Sequence, residues 1–471
     1  MTAANHRPAS ALKRFGTFFF LALAAQFLMQ RCGLASETNV TSVSFKQDIA
    51  PLLQKKCVTC HGPDKSKGKF RLDSFESLRK PGESGDLPIV PTAPDRSKLF
   101  QLITAKDPDD RMPQKDDPLS AAQIAVIERW IKQGAAFDGA DSKASLASLL
   151  PREPYPEPPS IYPRPAPVTA LAFSPDGREL AASGYHEVTV WNATDGSLGR
   201  RLKRLPQRIQ SIAWHRDGRL LAVAGGSPGQ SGELLLVDSR NGDVAKSLVT
   251  TSDVLLSALF SPDGSRLAVG GADNVVRVFD VATGAQTLLI QQHADWVMCV
   301  TWSPDGTRLA SASRDRTARV YDAKTGELTA SFTEHAAPVN AVVFAPDGKS
   351  VISADRDKNV FAWDPQEGKK LGEFKEFDGE VFQLQINGDK LLACSSDGKV
   401  REYLIDGRKF VRSYPSGADR VYSLAVDPAA KQFAAGSHDG EVRIWRNGEE
   451  LPVLSFRAVP GMAAANGQKS N

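Results

Sequence analysis

Cys57-Val58-Thr59-Cys60-His61 sets two thiols three positions apart, with an imidazole at the next position. This C-x-x-C-H spacing is that of covalent c-type haem attachment. Thiols about one helical turn apart can reach the two vinyl groups on one edge of a porphyrin, and the following residue swings its imidazole under the iron. Structural zinc would want a second Cys or His pair nearby. Here His61 is the only histidine between residues 36 and 167, and Cys299 and Cys394 lie far along the chain. A thioredoxin-like redox pair wants a βαβ setting, which the segment lacks. The sixth iron ligand follows by elimination: of five methionines only Met112 falls in this segment, 51 residues after His61. A thioether favours ferrous iron, raises the reduction potential and closes the coordination sphere, which suits an electron carrier. Water or a histidine from later in the chain is the alternative ligand. The expected cofactor is one covalent haem c, with Cys57 and Cys60 attaching it and His61 and Met112 as axial ligands.

Helices must hold these groups. Phe45, Ile49, Leu52 and Leu53 form an apolar face leading into Cys57, interrupted by Pro51. The helix therefore either starts near Ala50, with Pro51 in its first turn, or kinks there. A second helix is predicted from Ser120, with Gln123 completing a capping box, to Gly134, its buried face being Ile124, Ile127, Trp130 and Ile131. Helix, C-x-x-C-H, long loop, Met and C-terminal helix is the order seen in small monohaem cytochromes c. Asp48-Ile49-Ala50-Pro51-Leu52-Leu53, Arg71-Leu72-Asp73-Ser74, Pro88-Ile89-Val90-Pro91, Arg111-Met112-Pro113 and Arg129-Trp130-Ile131 resemble the planctomycete-type cytochrome c domain. That resemblance implies haem binding and electron transfer and names no substrate.

The chain has 471 residues, 41% hydrophobic and 24% charged, which excludes wholesale disorder and a multispan membrane protein. Its net charge of +3 includes four cations before residue 36, where there is no acid. The remainder is nearly neutral and lacks the global field of a nucleic-acid binder. Arg7, Lys13 and Arg14 precede an apolar run over 15–29, and Gly33-Leu34-Ala35 offers small residues for cleavage, so 1–35 reads as a signal peptide, with a retained anchor or a lipid on Cys32 as the alternatives. The run is shorter than the roughly 20 residues that span a bilayer, so the mature chain is expected to have no transmembrane span. Export to the periplasm or cell envelope follows. Five cysteines in so long an exported chain make no dense disulfide framework.

Residues 36–150 form the expected haem domain, and 151–167, with eight prolines, a semi-rigid spacer that should hold two domains apart. From 168 to 457 the sequence repeats. Val168, Ile209, Leu255, Val297, Val339, Val381 and Val421 open equivalent strands at intervals of 40 to 46 residues. Four strands at this period signal a propeller blade. Ser-Pro-Asp-Gly turns recur at 174–177, 261–264 and 303–306, with Ala345-Pro346-Asp347-Gly348 as a variant. With Val190-Trp191-Asn192, Val278-Phe279-Asp280, Val320-Tyr321-Asp322, Ala362-Trp363-Asp364 and Ile444-Trp445-Arg446, the region resembles the WD-repeat (β-transducin) family. The second and sixth repeats fit least well. The resemblance implies a hydrogen-bond network between a turn Asp, matched by Asp273, Asp315, Asp357, Asp397 and Asp439, and a His, matched by His293 and His335. The tail, 458–471, is small and polar and is expected to be disordered.

The expected protein is multidomain: a small all-α monohaem cytochrome c domain followed by an all-β, seven-bladed WD-repeat propeller. It reads as an electron-transfer and interaction protein rather than a catalyst. The alternatives are a redox enzyme whose propeller holds substrate or a second cofactor, and a haem-based sensor. Lys55, Lys56, Lys65, Lys67, Lys69 and Arg71, opposed by Asp64 alone, suggest a collar for an acidic redox partner. Trp296, Arg314, Arg316 and Arg356 are the candidate partner-binding residues of the propeller, since Trp and Arg are typical interface anchors. A redox partner protein and a cell-envelope assembly are the expected partners.

Overall fold

The computed structural model describes residues 42–62, 65–114, 116–139, 142–143, 145–150, 155–417, 419–429 and 431–461. The expected signal peptide, Asp64 and the tail from 462 lie outside the described residues.

The helical part begins where Ser44 caps a wide π-type turn, Phe45–Ile49, that runs into α1, Ala50–Lys56. Pro51 sits in the first turn of α1, where its missing amide breaks no hydrogen bond. Helix α2, Val58–His61, follows directly, then α3 (Phe75–Leu78), α4 (Lys98–Ile103), α5 (Ala121–Lys132) and α6 (Leu146–Leu149). Ser120 and Gln123 form the expected capping box of α5. The chain turns out of α5 at Gly134, whose φ of +97° suits glycine. Phe45 packs against Phe75 and Trp130 at 4.9 and 5.5 Å between ring centroids, so the first and last long helical segments meet. Ile49, Leu53, Leu72, Leu78 and Ile131 complete this core. Each fully buried large side chain contributes about 1.5–3 kcal/mol. Ile124 is only partly buried.

From Leu171 onward the described chain is almost entirely antiparallel sheet. Seven separate four-stranded blades were expected. Among the described residues, five four-stranded sheets stand alone, and the first two repeats form one seven-stranded sheet. The reason is a 17-residue strand, Leu198–Trp214, that never breaks. Its first half pairs with Tyr185–Asn192 and its second half with Leu220–Ser227.

Seven polar side chains tie each innermost segment to the next. Thr169 Oγ1 donates to Ile209 O at 2.5 Å and Ser211 Oγ to Ala258 O at 3.1 Å. Val300 N donates to Ser257 Oγ at 3.1 Å, and Cys299 Sγ lies 3.7 Å from Val342 O. Asn340 Nδ2 reaches Val381 O at 3.0 Å and Leu424 N reaches Gln383 Oε1 at 2.8 Å. Ser423 Oγ then donates to Val168 O at 2.8 Å, returning the ring to its start. The last sheet takes its fourth strand, Leu454–Arg457, from the C-terminal side alone.

The proline-rich stretch does not stand free. Tyr162 Oη donates to Glu187 Oε1 at 2.6 Å, and Arg201 grips both oxygens of the fully buried Glu187. Arg201 also donates to Pro159 O at 2.6 Å, while Glu157 pairs with Arg204 at 2.8 Å. Burial first, then the Glu187 hydrogen bond, pushes the Tyr162 hydroxyl well above its ordinary pKa, so it stays a donor. These partners draw 157–162 onto the propeller, and α6 lies against the strand Val244–Thr251, so the spacer does not keep the two parts apart. At the other end, Ala458 and Val459 are buried and Ala458 N donates to Gly440 O at 2.9 Å. The packed chain thus continues past the expected boundary at Arg457.

Candidate functional site

The short helix α2 places the thiols and the imidazole. Cys60 N and His61 N both donate to Cys57 O, at 3.1 and 3.0 Å, which winds the motif into one turn. Leu72 N donates to His61 O at 2.9 Å and fixes the turn's exit. Gly62 follows because nothing larger fits: a Cβ there would lie 2.5 Å from Val58 O.

One cavity of about 780 Å³ takes in Cys57, Cys60, His61 and Met112 together. Phe70, Leu72, Leu99, Leu102 and Ile103 give it apolar walls. The volume falls within the range of pockets that enclose cofactors, roughly 300–1,000 Å³. His61 Nδ1 lies 3.3 Å from Phe70 O, so the ring's other nitrogen, Nε2, is the one left for an iron. Met112 comes from the loop after α4, where Met112 N donates to Leu102 O at 3.0 Å and seats the residue at the cavity. Cys57 and Cys60 are free thiols. Burial, aided by Cys60, pushes the Cys57 thiol up to about 12. A disulfide-exchange centre needs the opposite, a depressed thiol. Among the described residues no group of three His, Cys, Asp or Glu side chains is placed to hold a metal ion. Haem fits the residues present: two thiols one turn apart, an oriented imidazole, a thioether and an apolar enclosure.

A planctomycete cytochrome C family model matches 57–116, and the WD domain, G-beta repeat model matches 158–192, 244–280, 284–322, 326–364 and 408–446. The chain joins a planctomycete cytochrome C domain to WD repeats. Most of the second and sixth repeats, the two that departed most from the pattern, lie outside the WD matches. Curated relatives share the repeat region. The periodic tryptophan protein 2 homologues of Caenorhabditis elegans and Schizosaccharomyces pombe are 27% and 30% identical over 134 and 129 residues, covering 28% and 27% of this chain and 15% of each relative. The WD repeat-containing protein VIP3 of Arabidopsis thaliana is 30% identical over 128 residues, 24% of this chain and 39% of the relative. The chain therefore spans well under half the length of these relatives.

The cytochrome domain's lysine collar is less bare than its sequence. Lys56 pairs with Asp116 at 2.8 Å, Lys69 with Glu83 at 3.4 Å and Arg71 with Asp73 at 2.7 Å. The opposing acids come from segments distant in sequence or from the next turn, so Asp64 is not their sole counterweight. Lys65 and Lys67 are exposed and form no ion pair among the described residues.

On the WD repeats, Arg314 lies over the Trp296 ring at 4.4 Å and pairs with Asp295 at 3.1 Å. Arg356 is exposed and pairs with Glu380 at 3.2 Å, and Arg316 is exposed at the turn between Arg308–Ser313 and Ala318–Asp322. Trp296 and Arg314 thus form one cluster, with Arg316 in the same turn as Arg314 and Arg356 at the equivalent turn of the next repeat. The His–Asp network is present twice, with one correction. His293 bonds Asp315 at 2.8 Å and Ser311 at 2.6 Å, but His335 bonds Asp355 rather than Asp357, at 2.8 Å, with Ser353 at 2.7 Å. Asp355 occupies the position of Ser313 in the preceding repeat, and its carboxylate reaches the imidazole from there, leaving Asp357 exposed. In two repeats without the histidine, a third-strand arginine takes the turn acid: Arg277 on Asp273 at 2.7 Å and Arg401 on Asp397 at 2.6 Å.

Residue types alone did not single out Gly62, Phe70 or the α4 wall. Leu99, Leu102 and Ile103 sit at i, i+3 and i+4, a period that marks an apolar helix face. Nothing in the sequence around Phe70 signals that its carbonyl orients His61.

Proposed function

We propose that this protein is an exported electron carrier: one haem c, attached through Cys57 and Cys60 and ligated by His61 and Met112, with the propeller docking the carrier to a redox partner at the cell envelope. The observation that carries this reading is that all four side chains line one largely apolar cavity. The haem, when bound, supplies a reversible one-electron couple. Phe70 O, by accepting the Nδ1 proton, orients His61 and leaves Nε2 as the nitrogen that would hold the iron, and it would raise the imidazole's basicity. Met112 supplies a soft donor that favours the ferrous state, and Leu99, Leu102 and Ile103 exclude water. Export rests on the charged and apolar N-terminal pattern. Among the described residues no helix is long and apolar enough to cross a membrane.

The propeller is read as seven-bladed, with the seven-stranded sheet counting as two blades that share Leu198–Trp214. The seven-membered ring of side-chain ties, one per repeat, supports that count. Trp296, Arg314, Arg316 and Arg356 are its proposed docking residues, the first two preassembled by their cation–π contact.

Charge reversal of Lys65 and Lys67 tests the carrier reading. Lys65→Glu with Lys67→Glu should slow electron exchange with an acidic protein acceptor about tenfold at low salt, the difference shrinking as salt screens the collar. Stopped-flow oxidation of the reduced haem at two ionic strengths reads this out. An unchanged rate at low salt would remove the collar from the docking site.

A further inference from the structure

Lys56 and Asp116 meet across the cavity. Lys56 ends α1, one residue before Cys57, and Asp116 lies four residues past Met112. Both line the cavity. Lys56 Nζ stands 2.8 Å from Asp116 Oδ2, and the lysine side chain is only 15% exposed although its partner is 47% exposed. Asp117 N donates to the other oxygen, Asp116 Oδ1, at 2.8 Å, so the carboxylate is held in orientation. The hydrogen bond from Lys56 is also the chief reason the Asp116 carboxyl sits below its ordinary pKa.

The loop carrying Met112 is anchored on its near side by Arg111 N to Asp107 O and Met112 N to Leu102 O, both 3.0 Å. Beyond Met112 the chain is exposed at Gln114, Asp116 and Asp117 until Leu119 enters the core. Gln114 bonds only within the loop, to Asp109 O. Among the described residues, Lys56–Asp116 is the polar tie that returns this far side of the methionine loop to the end of α1, next to Cys57.

We propose that the Lys56–Asp116 ion pair is a latch that holds the Met112 loop against the cavity and so sets how readily the sixth iron position exchanges its ligand. The latch rests on the reading that Met112 ligates a haem carried by Cys57, Cys60 and His61. Lys56 and Asp116 are positioning residues: they supply neither an iron ligand nor a thioether, and they act through the loop. Opening the latch would free the loop to carry Met112 away from the cavity and leave room for an external donor, with Cys57 and Cys60 unaffected.

The test uses the full chain matured with covalent haem and follows imidazole binding to the ferric protein by its visible spectrum. Lys56→Gln and Asp116→Asn should each raise the apparent imidazole affinity about two- to fivefold, the range for a partly exposed ion pair. The double variant should go no further than either single one. Lys56→Arg should stay at the wild-type value, and the exchanged pair Lys56→Glu with Asp116→Lys should return toward it, which a merely misfolded loop would not do. Imidazole affinity unchanged in both single variants, with wild-type methionine ligation intact, would overturn the latch and leave the haem reading standing. A wild-type chain with no covalent haem, or with imidazole affinity unaffected by Met112→Ala, would overturn the haem-ligation reading and the latch with it.

Discussion

Replacing Cys57 and Cys60 together by alanine should abolish covalent haem. After denaturing electrophoresis, haem staining of the wild-type chain should give a band at its mass, and the double variant should give none. The effect is expected to be complete because α2 winds both thiols into one turn on the cavity wall, and the other described cysteines, Cys299 and Cys394, lie in propeller strands. His61→Ala supplies the contrast. It should keep the stained band, since both thioethers remain, while losing the spectrum of a six-coordinate low-spin iron. The sheet signal in circular dichroism should be unchanged in both, because the propeller strands have cores of their own. A stained band persisting in the double variant would place the attachment elsewhere.

Asp355→Ala should lower the stability of the propeller by about 3–5 kcal/mol, whereas Asp357→Ala should change it by no more than about 0.5 kcal/mol. The two acids are two residues apart, and a repeat pattern alone favours the wrong one. Asp355 and His335 side chains are both fully buried, and the carboxylate accepts from His335, from the Asn359 side chain and from the amides of Asp357 and Asn359. Removing it leaves the buried His335 without its acceptor among the rings of Phe332 and Phe361, at 5.3 and 5.0 Å between centroids. Denaturant unfolding followed by tryptophan fluorescence measures the difference. Burial pushes the Asp355 carboxyl up, but the hydrogen bonds from His335 and Asn359 outweigh it and leave the group below its ordinary value. Its contribution is therefore full above the unfolded value of about pH 3.9 and is lost as pH falls through the lower folded value. The gap between wild type and Asp355→Ala should accordingly narrow in acid. Equal losses from both variants would return the network to the pattern-matched acid.

Period and turn chemistry made much of the fold legible. Alternating strands at intervals of 40 to 46 residues, punctuated by Ser-Pro-Asp-Gly, leave little but a propeller, and at Gly264 the reason is visible: φ is +78°, and a Cβ would lie 2.7 Å from His215 Nε2. The helices were legible where a cap or a proline fixed a boundary, as at Ser120 and Pro51. What stayed hidden depends on distance along the chain. That Leu198–Trp214 runs on as one strand is decided by pairing on both of its edges, not by a local breaker. The docking of 157–162 depends on Glu187 and Arg201, which proline content cannot announce. At the cavity, spacing singled out the two cysteines and the histidine and scarcity singled out Met112, and the four side chains line the same cavity. The carbonyl of Phe70 and the partner of Lys56 required the folded chain.

The haem content of the purified mature protein is the most direct test. One covalently bound haem per chain, six-coordinate, with a methionine-sulfur signature that disappears in Met112→Ala, is the expected result. A purified chain that matures normally yet carries no covalent haem would contradict it.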